Sequence, residues 1–187
     1  MSSLALRAPG ELQKTEEAAV WRLLKEVDRE FIPPLSSRES TTTKNLQSTA
    51  VEAAEPRSYF KRLLGQVTLI ASVDGDVAGF MSFIPAHHDL LISSQSPCSY
   101  ISTIAVTRSA RRLGIARRLY DGILSLPDRY ASPWVVTRTW STNSGHLNLL
   151  ESLGFREIVN LPDDRGPGID TVYYARDPSS QESALRS

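Results

Sequence analysis

A predicted strand ends and a predicted helix begins at the stretch Arg111-Arg112-Leu113-Gly114-Ile115-Ala116. The first amides of a helix have no partner within it and lie at the positive end of its dipole, so they form an anion site. Gly114 and Ala116 are small enough for a diphosphate to approach the backbone. Arg111, Arg112 and Arg117 add positive charge. The stretch therefore predicts a diphosphate-binding turn, and a basic helix start that contains a glycine by chance is the alternative.

The residues on either side of this turn alternate between strand and helix patterns. Residues 99–106 are dense in β-branched and aromatic residues, which is typical of a central strand. Residues 134–139 predict the next strand, and residues 143–153 predict a helix that Gly154 caps at its C-terminal end. The helix directly after the turn has apolar residues at helical spacing, namely Ala116, Leu119, Tyr120, Ile123 and Leu124. The order strand, helix, strand, helix predicts a parallel pair of strands.

Further elements are predicted on both sides of this region. Asp74-Gly75 predicts a tight hairpin turn between two strands. Pro33-Pro34 predicts the end of a first amphipathic helix. The remaining set comprises a strand at residues 4–7, that first helix from about residue 16, a short helix between Pro56 and Gly65, strands at residues 67–73 and 77–84, and strands at residues 155–161 and 169–174.

Length and composition indicate one domain. A chain of 187 residues with 41% hydrophobic content buries one substantial core, and we place that domain at residues 1–176. Residues 36–50 are crowded with Ser and Thr and have no apolar period, which predicts a flexible loop that is either a connector or a substrate lid. Residues 177–187 predict a disordered tail.

Charge and cysteine content exclude several classes of function. The 21 basic and 21 acidic side chains cancel, so we expect no binding to nucleic acid or to a membrane surface. Cys98 has no second cysteine to pair with, which fits the reducing cytoplasm, and we predict a buried apolar role for it. The chain shows no signal peptide and no membrane-length apolar run, so we expect a soluble, cytoplasmic protein. His87-His88-Asp89 has no third ligand at a suitable spacing, so we expect no metal site.

Two motifs make the chain resemble the GCN5-related N-acetyltransferase (GNAT) superfamily. The signature of that family is Q/R-x-x-G-x-G/A after a strand, and Arg111-x-x-Gly114-x-Ala116 is similar to it. Asn143 and, after a helix, Gly154-Phe155 resemble the family's N-x-x-A-x-x-L-Y-x-x-x-G-F segment. The resemblance extends over about residues 67–174.

The resemblance implies a single α/β domain with a mixed, mostly antiparallel sheet, split by a V-shaped cleft, and with helices on both faces. It implies that the pantetheine arm of acetyl-CoA, the cosubstrate, enters between the strands at residues 99–106 and 134–139. Backbone groups near Ile104, Ala105 and Val106 would bond to that arm and polarise the thioester carbonyl. The cofactor-binding turn would comprise Arg111, Arg112, Leu113, Gly114, Ile115, Ala116 and Arg117. Asn143 would also touch the coenzyme, and a plain helix cap is the alternative for it.

The implied reaction is direct attack of a substrate amine on the thioester of acetyl-CoA. A lysine-like amine has a free pKa of about 10.4, so its ammonium proton must leave first. Relatives often carry a glutamate on the central strand, but this strand has only Tyr100 and Ser102, which either order a water chain or are ordinary sheet residues. Leu150 stands where many relatives have a tyrosine that protonates the leaving thiolate, and His146 is a candidate for that role or a surface or capping residue. These departures support a rival function, a catalytically silent acyl-CoA-binding sensor or recruitment module.

We expect the pocket for the acceptor amine to be formed by segments that show little helix or strand pattern, namely residues 33–49, the segment around His87 and residues 163–170. Acidic side chains in the last segment either attract a cationic amine or are solvated loop charges. Tyr173 or Tyr174 is a second candidate to approach the leaving thiolate. The expected partners are acetyl-CoA and an amine of a small molecule, peptide or protein, and since the family often dimerises, a homodimer is one expectation.

Overall fold

The computed structural model describes residues 3–38, 41–42, 46, 55–126, 130 and 132–177. The strands of this part of the chain are β1 (Leu4–Gly10), β2 (Val67–Val73), β3 (Asp76–His87), β4 (Cys98–Val106), β5 (Val135–Trp140), β6 (Arg156–Leu161) and β7 (Thr171–Arg176). Its α-helices are α1 (Lys14–Val27), α2 (Arg57–Leu63), α3 (Ile115–Leu124) and α4 (Ser144–Ser152). The strands form a mixed, mostly antiparallel sheet in the order β1-β2-β3-β4-β5-β7-β6, and β4 and β5 are the predicted parallel pair.

The hairpin and the first helix show how local sequence sets these elements. Asp74 and Gly75 have φ angles of 51° and 93°, the left-handed conformation that the tight turn between β2 and β3 requires. The first helix ends earlier than predicted, at Val27, and a 3-10 turn follows before the two prolines. The carboxylate of Asp28 in that turn accepts hydrogen bonds from the Ser36 amide at 2.6 Å and the Ser36 hydroxyl at 2.9 Å. These bonds stabilise a chain direction that does not continue the helix.

Contacts divide the chain into two compact units, each with its own core. The first unit comprises Met1–Phe83 and Ser102–Gly122, and the second comprises Ile84–Ile101 and Ile123–Ser187. The single-domain assignment of residues 1–176 stays a prediction. Most of the predicted loop at 36–50, namely residues 39–40, 43–45 and 47–50, and residues 178–187 of the predicted tail lie outside the described residues.

Helices of the first unit cover both faces of its strands. One face packs against α1 and α2 through a single buried cluster, Val20, Leu23, Leu24, Val27, Leu35, Tyr59, Leu63, Ile70, Phe80 and Ala105. On the opposite face, a Cβ atom added at Gly122 of α3 would lie 2.6 Å from Leu6 and 3.4 Å from Leu69. Leu69 and Ile70 are neighbours on β2 and point to opposite faces, so the strands of this unit lie between two helical layers.

The second unit is held by the pairing of β5, β7 and β6 and by the cap of α4. Its buried cluster comprises Ile92, Cys98, Tyr100, Val136, Tyr173 and Ala175. Gly154 has a φ of 78°, and its amide donates to the Glu151 carbonyl at 2.9 Å. The Phe155 amide donates to the Leu150 carbonyl at 3.0 Å. This pair of bonds is a Schellman motif, so Gly154 has the predicted C-terminal cap role.

The buried role predicted for Cys98 is confirmed. Cys98 is fully buried, and this burial, together with the charge of Asp89, raises the pKa of its thiol to about 12, so it packs as an apolar residue. Within the described residues, no helix has both the length and the apolar composition needed to cross a bilayer.

Candidate active site

The predicted diphosphate turn leads directly into α3 in the first unit. The first bond of regular helical spacing runs from the Arg118 amide to the Gly114 carbonyl at 3.0 Å. The amides of Ile115, Ala116 and Arg117 precede that bond and lie at the positive end of the helix dipole. Gly114 has a φ of 76°, and a Cβ atom added to it would meet no protein atom within 4 Å. The turn therefore presents backbone amides beside open space, which fits a diphosphate.

Glu30, the last residue of the 3-10 turn after α1, pairs with two arginines beside the predicted diphosphate turn. The carboxylate of Glu30 pairs with Arg108 at 2.8 Å and with Arg111 at 2.6 Å, and Glu26 accepts a hydrogen bond from the Arg108 amide at 2.7 Å. Burial alone would raise the pKa of the Glu30 carboxyl, but the hydrogen bonds and charges of the two arginines hold it below its usual value. The positive charge of Arg111 is thus partly offset by Glu30, and Arg112 and Arg117 are exposed as Arg111 is.

The predicted pantetheine contacts lie on the C-terminal half of β4. The register of β4 with β5 pairs Ser99 to Ile101 with Val135 to Thr137, and residues 104–106 lie beyond it. Ala105 is buried against α1 and α2, whereas Ile104 and Val106 are partly exposed. This alternation is the one expected of a strand, because neighbouring side chains point to opposite faces. A Cβ atom added at Gly79 would lie 3.0 Å from both the Ala105 carbonyl oxygen and the Ile115 side chain, so this part of β4 and the start of α3 lie close together in the first unit.

The two β4 residues considered for proton transfer lie in different environments. Tyr100 is 4% exposed within the core of the second unit, and its ring centroid lies 4.8 Å from that of His87. This placement favours an ordinary packing role for Tyr100. Ser102 is half-buried in the first unit, and its hydroxyl donates to the side-chain oxygen of Gln66 at 2.5 Å and to the Ser82 carbonyl at 3.2 Å. Nothing in the sequence pattern singled out Gln66, which lies 36 residues before Ser102.

Asn143 and His146 lie at the start of α4 in the second unit. Asn143 occupies the N-cap position, but its side chain makes no capping bond and instead donates to the Thr139 hydroxyl oxygen at 3.1 Å. Asn143 therefore has the predicted N-cap position, but its side-chain amide is bonded to β5 and not to the helix. Burial lowers the pKa of the His146 imidazole to about 4, so this side chain is neutral at pH 7. A neutral imidazole is a poor proton donor, which favours a structural role for His146.

The position expected to hold a catalytic tyrosine is part of the core. Leu150, on α4, is fully buried. Tyr174 is 6% exposed and lies on β7 with its hydroxyl 3.5 Å from the Glu151 carboxylate. Burial, followed by the charges of Glu151 and Glu157 and the hydrogen bond to Glu151, raises the pKa of the Tyr174 phenol. Tyr174 is therefore a protonated phenol at neutral pH. The Tyr173 hydroxyl accepts a hydrogen bond from Arg138 at 3.4 Å.

The acidic loop between β6 and β7 bonds mainly to itself. The Asp163 carboxylate accepts from the Gly168 amide at 2.5 Å, and Asp170 accepts from the Asp163 amide at 3.0 Å. Asp164 accepts from the Thr171 hydroxyl at 2.5 Å. These bonds favour a loop-stabilising role for the carboxylates over attraction of a cation. Across the described residues, no group of three or more His, Cys, Asp or Glu side chains could hold a metal ion.

Comparison with known proteins identifies the family. The acetyltransferase (GNAT) family model matches residues 29–155, more than half of the chain, and the chain therefore belongs to the GNAT acetyltransferase family. The family predicted from the two motifs is confirmed, as is its mixed, mostly antiparallel fold. Acetyl-CoA is the donor that this family uses. A search of proteins with curated descriptions found no match.

Solved structures share this fold at low sequence identity. An N-acetyltransferase from Staphylococcus aureus Mu50 has 16% identity and a TM-score of 0.65, over 94% of this chain and 99% of that chain. The yncA structure from Salmonella typhimurium, which contains its cofactor acetyl-CoA, has 17% identity and a TM-score of 0.64, over 94% of each chain. The ribosomal-protein-S18-alanine N-acetyltransferase from Escherichia coli has 16% identity and a TM-score of 0.61, over 95% of this chain and 94% of that chain. At these identities the likeness shows the fold alone.

Proposed function

We propose that this protein is an acetyl-CoA-dependent N-acetyltransferase in which a substrate amine attacks the thioester directly. The observation that carries the proposal is the turn before α3, where Gly114 has a φ of 76° and leaves open space beside the first helical amides. Membership of a family that uses acetyl-CoA supports a coenzyme diphosphate as the anion that this turn binds.

Backbone groups of the first unit would hold the donor. The amides of Ile115, Ala116 and Arg117 would bind the diphosphate, and the strand backbone at Ile104 and Val106 would bond to the pantetheine arm. Acetyl-CoA supplies an activated acetyl group whose thiol, with a pKa of about 8.5, leaves as a fairly stable anion. A leaving group of this kind reduces the need for a dedicated proton donor at Leu150.

Ser102 is the candidate from the central strand that the structure supports best at the acceptor end. Its hydroxyl is half-buried and bonded, whereas Tyr100 is packed in a core and His146 is neutral at pH 7. A serine hydroxyl does not ionise at neutral pH, so Ser102 would orient the amine or a water molecule and leave proton removal to solvent.

A catalytically silent acyl-CoA-binding protein is the second candidate. Its supporting observation is Leu150, an apolar and fully buried side chain at the position of the usual catalytic tyrosine. Such a protein would bind acetyl-CoA and recruit a partner or report on the coenzyme, with no release of thiol.

One experiment separates these functions. Purified protein is titrated with acetyl-CoA by calorimetry, and thiol release is then followed with a panel of primary amines that includes a peptide with a free N-terminal alanine, a lysine-containing peptide and a diamine. The N-acetyltransferase proposal requires both binding and amine-dependent thiol release. Binding without release from any amine supports the silent protein, and absence of binding contradicts both. The acceptor amine, the cytoplasmic location and a homodimer stay predictions.

A further inference from the structure

A buried glutamine links the strand that carries Ser102 to the segment before α2. Gln66 lies between α2 and β2 and is only 9% exposed. Its amide oxygen accepts a hydrogen bond from the Ser102 hydroxyl at 2.5 Å, and its amide nitrogen donates to the Thr41 hydroxyl oxygen at 2.6 Å. Both ends of the amide are therefore bonded within the protein, the oxygen to Ser102 and the nitrogen to Thr41.

The orientation of this amide determines where the Ser102 proton points. An amide oxygen can only accept, so the hydroxyl that faces it must donate. The other polar neighbour of the hydroxyl, the Ser82 carbonyl at 3.2 Å, is also an acceptor. A serine has one hydroxyl proton and two lone pairs. With the proton directed to Gln66 and Ser82, the Ser102 oxygen is left as a hydrogen-bond acceptor.

Ser102 is the most exposed member of this polar chain. Thr41, Gln66 and Ser82 are each at most 9% exposed, and Ser102 is half-buried. Buried polar groups are costly to leave without a partner, so the bonds within the chain keep one another in place. The buried members therefore act as a rigid support for a hydroxyl at the edge of the core.

Resting on the proposed function, we propose that Gln66 is a positioning residue that holds Ser102 as the hydrogen-bond acceptor for the attacking amine. A neutral primary amine has two N–H groups and one lone pair. One N–H donated to Ser102 directs the lone pair toward the thioester carbon. The C–N bond forms, the C–S bond breaks, coenzyme A leaves as the thiolate, and the proton that the amine nitrogen loses passes to solvent, while Ser102 keeps its own proton. The arrangement requires an acceptor amine that carries at least one N–H, which excludes tertiary amines.

Four single substitutions and one double substitution test this role. Gln66→Met removes both polar ends with little change in shape, Gln66→Glu retains an acceptor for Ser102 and can accept from the Thr41 hydroxyl, and Ser102→Ala removes the hydroxyl. Thr68→Val is the matched control, because it breaks a buried hydroxyl pair 3.2 Å apart, between Thr68 and Ser82, without removing a partner of Ser102. For each variant, kcat/KM is measured with the panel amine that the wild type acetylates fastest, and Kd for acetyl-CoA is measured by calorimetry.

Loss of one hydrogen bond of this kind is expected to lower kcat/KM by about tenfold in Gln66→Met and in Ser102→Ala, with Kd for acetyl-CoA unchanged. The double variant Gln66→Met/Ser102→Ala should lose no more than either single variant, since both act through the same hydroxyl. Gln66→Glu and Thr68→Val should keep kcat/KM close to the wild-type value.

Two results overturn the inference in distinguishable ways. An active wild type whose Gln66→Met variant keeps full kcat/KM, or whose two single losses multiply in the double variant, contradicts the positioning role and leaves the proposed function intact. A wild type that binds acetyl-CoA but acetylates no amine contradicts the proposed function and the positioning role together. An unchanged Kd for acetyl-CoA in Gln66→Met shows that this variant is folded. Retention of kcat/KM in Gln66→Glu, together with its loss in Gln66→Met, shows that the acceptor oxygen facing Ser102 is the feature that matters.

Discussion

Adding a single methyl group at Gly114 tests whether the turn before α3 binds the coenzyme. Gly114 has a φ of 76°, which an alanine adopts only with strain, and the added Cβ would point into space free of protein atoms within 4 Å. The strain costs about 1–2 kcal/mol, which corresponds to a fall of about 2–8 °C in Tm for a chain of this size. The same methyl group would occupy the space that the diphosphate needs, so Gly114→Ala should weaken acetyl-CoA binding by about tenfold or more.

Gly75→Ala separates strain from ligand contact. Gly75 also has a positive φ, 93°, and a Cβ atom added there would also meet nothing within 4 Å, but it lies in the hairpin turn between β2 and β3. Differential scanning calorimetry should show similar losses in Tm for both variants, and titration calorimetry should show weaker acetyl-CoA binding for Gly114→Ala alone. Equal acetyl-CoA affinity in the two variants would refute the assignment of the diphosphate site.

Three further predictions concern stability. The folded-state pKa of Glu30 lies below its ordinary value, so its pairing stabilises the protein above about pH 4.5, and this stabilisation is lost as pH falls through the lowered pKa. The Tm of the wild type should therefore exceed that of Glu30→Gln at pH 7. A difference in Tm that stays constant down to pH 3 would contradict the pairing. His146 has a pKa of about 4 in the folded state, below the ordinary value of 6.5, so the free energy of unfolding measured with urea should fall as pH falls from 6.5 to 4. His146→Asn, whose side chain does not titrate, should lose less stability over this range. Parallel pH profiles for the two proteins would contradict the burial of this imidazole. Leu150→Ala should lower the free energy of unfolding by about 2–5 kcal/mol in the same assay, and a loss under about 1 kcal/mol would show that Leu150 is not a core residue.

Elements that rest on local chemistry were predictable from the sequence. The apolar stripe of α1, the Asp74-Gly75 turn and the Gly154 cap each depend on residues a few positions apart. The turn at Gly114 was predictable for the same reason, since a helix start and its small residues are adjacent in sequence. Such features need no knowledge of how distant segments meet.

Contacts between distant segments account for what the sequence did not reveal. Glu30 lies 81 residues before Arg111 and still forms an ion pair with it, and Gln66 lies 36 residues before its partner Ser102. An N-cap motif predicted a helix-capping role for Asn143, but the nearby Thr139 hydroxyl competes for its amide. The low pKa of His146 arises from burial, which depends on the packing around it. A pattern in the sequence gives the position of such side chains along an element but not their partners.

The most direct test of the N-acetyltransferase assignment is to follow both products of one reaction. Protein is incubated with acetyl-CoA and each primary amine of the panel, free thiol is titrated, and the amine is weighed by mass spectrometry. For at least one amine, the assignment predicts a gain of one acetyl group in step with each thiol released, and a fall of about tenfold or more in both signals in Gly114→Ala when acetyl-CoA is limiting. Bound acetyl-CoA with no acetylated amine and no thiol above the background rate would contradict it.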